Sequence, residues 1–113
     1  MNKPYAVENI QPSKIPALIE KLQDKIGIIL FQNHSSGSNH MFDIILQNLA
    51  SEFPEVPFFK TTTDASNQFF QKLGVRSFPF TVIVKAKTVV DCFEGLISKR
   101  QFREKINRFL ESS

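Results

Sequence analysis

The stretch Ile26-Gly27-Ile28-Ile29-Leu30-Phe31-Gln32-Asn33-His34-Ser35-Ser36-Gly37-Ser38-Asn39-His40-Met41-Phe42 decides the fold. It opens as an unbroken apolar run, the pattern of a strand buried on both faces of a sheet. A polar, glycine-containing turn follows. The apolar residues then return at helical spacing as Met41, Ile44, Ile45, Leu49 and Phe53. A buried strand leading through a tight turn into a helix is where α/β folds place their chemistry. The turn lies at the carboxyl end of the strand and at the positive end of the helix dipole. The segment from His34 to His40 is therefore the first candidate site, and it offers serines, a glycine and an asparagine but no cysteine.

Working outward, Tyr5-Ala6-Val7 is a short strand with polar neighbours, suited to a sheet edge. Pro12-Ser13-Lys14 opens a helix whose inward face is Ile15, Leu18, Ile19 and Leu22, closed by Asp24-Lys25. The buried strand runs from Ile26 to Gln32. The second helix runs from Asn39 to Phe53, capped by Ser38 or Asn39 and stopped by Pro54. Val56 to Thr61 reads as a strand with Pro57 at its entry. A third helix starts at Thr63-Asp64-Ala65-Ser66, turns Phe69, Phe70 and Leu73 inward and stops at Gly74. A loop over Val75 to Pro79 leads to strands Thr81–Val84 and Thr88–Phe93, joined by a hairpin at Ala86-Lys87. Glu94-Gly95 turns the chain, and Ser98 caps a last helix carrying Phe102, Ile106, Phe109 and Leu110 on its apolar face.

A chain of 113 residues with 42% hydrophobic content supports one domain over 1–113, with a real core. The net charge of +3 is scattered until the last helix, where Lys99, Arg100, Arg103, Lys105 and Arg108 gather. That is the pattern of a solvated helix face, and no nucleic-acid partner is expected. The single cysteine, Cys92, excludes an intrachain disulfide and fits a reducing, intracellular compartment, most simply the cytoplasm. No apolar run reaches membrane-spanning length, and Met1 to Ile10 has no signal-peptide core, so no membrane partner is expected.

In this order the elements form an α/β chain, β-α-β-α-β-α-β-β-α, with about five strands in a central mixed sheet flanked by four helices. Three segments resemble the thioredoxin family. Phe31 to Leu46 resembles its strand, active-site turn and second helix, with Ser36-Gly37-Ser38-Asn39 standing where the family has Cys-Gly-Pro-Cys. Gly74-Val75-Arg76-Ser77-Phe78-Pro79-Phe80 resembles the loop that holds the family's cis-proline, at Pro79. Glu94-Gly95-Leu96-Ile97-Ser98-Lys99 resembles the closing glycine turn and the start of the last helix. The segments fall in the family's order, with 43 positions from Ser36 to Pro79.

The resemblance implies the thioredoxin fold, and its departures imply loss of the family's activity. Thiol–disulfide exchange needs an attacking thiolate and a resolving thiol, and Ser36 and Asn39 supply neither. The family's buried, proton-handling aspartate corresponds to Leu30, and the tryptophan before its motif to Ser35. What the resemblance retains is a groove between the turn and the proline loop, where an extended chain pairs with the backbone before the proline. The expected binding residues are Ser35, Ser36, Gly37, Ser38, Asn39, Arg76, Ser77, Phe78 and Pro79. The expected partner is another protein or an extended peptide, with no cofactor. Phe80 reads as core, while Phe78 is open to either a core or a partner-binding role.

Other constellations are weaker. Ser36 or Ser38 with His34, His40 and Asp43 has the parts of a nucleophile, base and orienter, but residues crowded in one turn seldom line up in series. A polar turn with a helix cap explains them as well. His34 and His40 lack a closed metal-ligand set, so no metal is expected. The helix N-terminus at Gly37-Ser38-Asn39 can attract an anion, which leaves a glutathione- or anion-binding enzyme as the alternative function. Cys92 reads as a small buried hydrophobe in its strand.

Overall fold

The computed structural model describes residues 7–33, 40–63, 71–72, 74 and 77–111. Their elements are β1 (Val7–Asn9), a 3₁₀ turn (Pro12–Lys14), α1 (Ile15–Leu22), β2 (Ile26–Gln32), α2 (His40–Glu52), β3 (Phe58–Thr62), β4 (Phe80–Lys85), β5 (Thr88–Glu94) and α3 (Lys99–Glu111). The strands form one mixed sheet in the order β1-β3-β2-β4-β5. β3 lies parallel to both β1 and β2, whereas β4 is antiparallel to β2 and β5. The two long parallel crossovers and the closing hairpin follow from the order of the elements, since parallel neighbours need a crossover and antiparallel ones do not.

β2 spans the residues that its apolar run marks, and Ile26 to Phe31 are all buried because both faces of the sheet are covered. On one face Ile28, Leu30, Phe58 and Ile83 pack with Phe42, Leu46 and Leu49 of α2 and Phe102 and Ile106 of α3. Phe102 joins the layers: its ring stacks on Phe42 at 6.0 Å and meets Phe93 edge-on at 5.2 Å. Such ring pairs add to the stabilisation that burial alone provides. On the other face Ile29, Phe31, Phe59, Phe80 and Val82 pack with Ile15, Ile19 and Leu22 of α1. β2 and α1 approach closely at Gly27, where an added Cβ would lie 2.7 Å from the Leu22 Cδ1.

The element boundaries differ from the sequence reading where partners outweigh local preference. β1 lies at Val7–Asn9 rather than ending at Val7, because pairing with β3 places Val7 beside Phe58 and lets the Ile10 N–H donate to the Lys60 carbonyl at 2.9 Å. The Pro12 segment is a 3₁₀ turn leading into α1, and α1 ends before Asp24 because Gln23 adopts φ +56°. β3 begins at Phe58; Val56 is buried in the preceding loop with its N–H on the Phe53 carbonyl. The hairpin at Ala86-Lys87 carries φ +54° and +65°, the mirror-turn geometry that matches strand twist, here without a glycine.

α3 begins as its sequence marks it. The Ser98 Oγ accepts the Gln101 N–H at 3.1 Å, and the Gln101 Oε1 accepts the Ser98 N–H at 3.2 Å, a reciprocal capping box. The predicted third helix falls almost wholly outside the described residues. Within it Gln71 and Lys72 are helical, and Gly74, at φ +71°, donates to the Gln71 carbonyl at 3.0 Å. Three α-helices are thus seen among the described residues where four are expected.

Cys92 departs from expectation: it is exposed, not buried. The ladder pairs Ile83 with Asp91 but Val84 with Val89, so Val90 is an extra, bulged residue. The bulge resets which side chains face which layer. Val89 packs towards the α1 face, whereas Phe93, in spite of its even spacing from Val89, packs towards the α2–α3 face. Cys92 is left on the open side of the edge strand.

Candidate functional site

The turn that joins β2 to α2 carries the expected binding residues Ser35, Ser36, Gly37, Ser38 and Asn39, which lie outside the described residues, as does Arg76. Its supports are described. Beneath the first turn of α2, the Asp43 Oδ1 accepts from the Lys60 Nζ of β3 and from the Gln32 Nε2 of β2, each at 3.4 Å. The parallel pairing of β2 with β3 sets Lys60 opposite Leu30 and so brings the ammonium up to α2. Both contacts fall on Oδ1 and tie the first turn of α2 to the sheet. Leu30, in the position of the family's aspartate, is fully buried among apolar side chains and has no proton to give.

Ser77, Phe78 and Pro79 are brought against the β5–α3 loop. The Phe78–Pro79 peptide is cis. The Pro79 carbonyl accepts the Gly95 N–H at 2.8 Å, and the Ser77 Oγ donates to the Glu94 Oε1 at 2.6 Å. Gly95 holds φ +77°, a backbone conformation that suits glycine. Two hydrogen bonds thus tie the loops side by side. Pro79 and Phe80 are buried, with the Phe80 ring 6.3 Å from that of Phe31. Ser77 is exposed, and among the described residues neither its N–H nor its C=O takes part in a backbone hydrogen bond. Phe78 is half-buried and packs against the α1-side core. Leu96 stands beside this junction at 56% exposure, a large apolar side chain offered to solvent.

Glu94, Leu96 and Lys60 border the candidate site, and the sequence reading does not single them out. Glu94 and Lys60 each sit 17 positions from the group they bind, so no local pattern marks them. Leu96 belongs to the glycine turn, but its exposure depends on how that turn packs.

The single thiol offers little chemistry. Partial burial, then the Asp91 and Glu94 carboxylates, push the Cys92 pKa up, against the opposing pull of Lys105. A thiol so placed is protonated at neutral pH and a poor nucleophile. Among the described residues no group of three or more His, Cys, Asp or Glu side chains could hold a metal ion. No helix among them is long and apolar enough to cross a membrane.

No protein-family model matches the chain, and no curated protein does. Solved structures do. The chain is similar to Chlamydomonas reinhardtii thioredoxin f2, with 19% identity over 95% of this chain and 99% of that one, at a TM-score of 0.81. It is similar to thioredoxin f from spinach chloroplast in its short form, with 21% identity over 91% and 92% of the two chains, at a TM-score of 0.78. A thioredoxin f2 complex with ferredoxin:thioredoxin reductase also aligns, with 18% identity over 94% and 96%, at a TM-score of 0.81. At such identities the likeness speaks for architecture alone, and it agrees with the strand order and the paired loops: the chain has the thioredoxin fold.

Proposed function

We propose that this protein is a thioredoxin-fold binding module without thiol–disulfide activity. It takes a protein or extended peptide in the groove between the Ser35–Asn39 turn and the Ser77–Pro79 loop. The observation that carries the reading is the junction of the proline loop with the β5–α3 loop. It holds the open backbone of Ser77 beside two accessible apolar groups, Phe78 and Leu96. An exposed extended backbone pairs with an incoming strand, and neighbouring apolar side chains give such pairing its selectivity. The loss of redox function rests on the one cysteine of the chain, its unfavourable setting in β5, and the buried leucine at position 30. The setting is a reducing, intracellular one, most simply the cytoplasm, and residues 1–113 act as one domain. The alternative of a glutathione- or anion-using enzyme rests on Ser36 to Asn39 alone.

The test is quantitative affinity capture under mild conditions, followed by titration of the recovered partner. Truncating an aromatic anchor often costs about 2 kcal/mol or more of binding, so Phe78→Ala should weaken the complex by about thirtyfold. Leu96→Asp, at an exposed position, should weaken it without disturbing the fold. Moderate salt should have little effect on a groove of this kind, whereas a complex on the basic face of α3 would fade. Unchanged affinity in both variants, each shown to be folded, would remove the groove as the site.

A further inference from the structure

On the opposite flank of the molecule, a groove of about 450 Å³ runs between α1 and the edge strand β1. Its floor is apolar: Ile10, Leu18, Leu22 and Phe59. Its rim is cationic, formed by Lys14, Lys21 and Lys25, with Glu8 the one acidic lining residue among the described residues. Lys14, Leu18 and Lys21 recur at steps of four and three and so share one side of the α1 segment, and the turn after Gln23 places Lys25 on the same rim.

Elsewhere Lys60, Lys87, Lys99, Arg100, Arg103 and Lys105 each sit within 4 Å of a carboxylate. Among the described residues Lys14, Lys21 and Lys25 have no such partner, and all three are exposed. Three unneutralised cations around an apolar floor favour an occupant that is both anionic and apolar.

The spacing of the cations narrows the chemistry. From Lys14 to Lys21 the segment advances about 10 Å at helical rise, the reach of about three residues of extended chain, and Lys25 extends the row beyond the end of α1. A single-headed amphiphile can satisfy one end of such a row, whereas a peptide can present carboxylates along all of it. β1 adds a second reason: among the described residues it pairs only with β3, so no described strand covers its outer edge beside the groove. We propose that this groove docks an acidic segment of a partner protein, with apolar side chains at its centre and carboxylates towards both ends. This surface is separate from the proline-loop groove and would give the module a second point of attachment.

The experiment uses the blocked peptide Glu-Glu-Leu-Val-Leu-Glu-Glu as probe and backbone amide shifts of the intact protein as readout. Its lysine-for-glutamate counterpart and dodecanoate serve as comparison ligands. The expected result is a set of shifts confined to residues 8–10, 14–25 and 59, with affinity falling about tenfold as salt rises from ~50 to ~300 mM. Lys14→Gln/Lys21→Gln/Lys25→Gln changes only exposed side chains, and it should weaken the probe at least about tenfold while leaving the remaining spectrum intact. If that variant folds poorly, Lys21→Gln alone should still weaken the probe measurably. Absence of shifts at about 1 mM probe, the range of the weakest useful affinities, overturns the proposal. Shifts located elsewhere, equal binding of the basic peptide, or tighter binding of dodecanoate in this groove overturn it as well.

Discussion

Thr81 gives the sharpest test of the packing described. It lies in β4 between Leu30 of β2 and Phe93 of β5, its exposure is 0%, and its Oγ1 has no hydrogen-bond partner among the described residues. A buried hydroxyl without a partner costs about 1–3 kcal/mol, because it has given up water and received nothing in return. Valine has the same branched shape and the same stiffness about χ1, so Thr81→Val replaces the hydroxyl with a methyl group and leaves the rotamer unchanged. Taking the lower part of that range, the variant should be more stable by about 1 kcal/mol, which for a domain of this size is a rise in Tm of about 4 °C. Urea unfolding followed by circular dichroism measures it, as a higher midpoint with an unchanged slope. Thr62→Val, on an exposed position of β3, is the control for strand preference and should move stability by less than about 0.5 kcal/mol. A loss of stability in Thr81→Val with a neutral control would show that the hydroxyl is engaged, and that the layer between Leu30 and Phe93 is packed differently from the description above.

Glu52 joins α2 to α3, taking Arg103 at 2.8 and 2.9 Å and Lys99 at 3.3 Å. These cations, Arg103 foremost and against some desolvation, hold its carboxyl at about 2, below the ordinary 4.5. The folded state therefore favours the charged form, so the contribution to stability is full above pH 4.5 and is lost as the pH falls towards 2. Glu52→Gln should melt below the parent at pH 7, modestly because the pair is solvent-screened, and the difference should close on acidification; a gap independent of pH would refute the linkage. Gly95→Ala meets no neighbouring atom but must hold φ +77°, so it should cost about 1 kcal/mol in urea unfolding. Gly95→Asn should recover part of that loss, and equal losses in the two variants would contradict a conformational origin.

The parts of the fold that were legible from the sequence are those with local causes. The apolar run of β2, the Ser98 cap of α3, and the two-residue hairpin at Ala86-Lys87 each act within a few residues. They lie where the pattern puts them. What the pattern did not reveal depends on partners far along the chain. Glu8 and Asn9 are poor strand formers that belong to β1 only because β3 is there to pair with them. Cys92 shares its face with Val90 as the alternation implies, but β5 is an edge strand whose face there is open, and both residues are exposed. For the site, the proline loop was legible through its motif, but its wall was not. Glu94 meets Ser77, and Lys60 meets Asp43, through contacts that only the sheet register creates.

The central claim is that a thioredoxin fold persists here without dithiol chemistry. The most direct measurement is the reduction of insulin disulfides by dithiothreitol, followed by turbidity, with this protein as the only candidate catalyst. The account predicts a time course that coincides with the protein-free blank, for the parent and for Cys92→Ala alike, because neither holds a pair of thiols to form and resolve a mixed disulfide. Acceleration above the blank that survives in Cys92→Ala would contradict it.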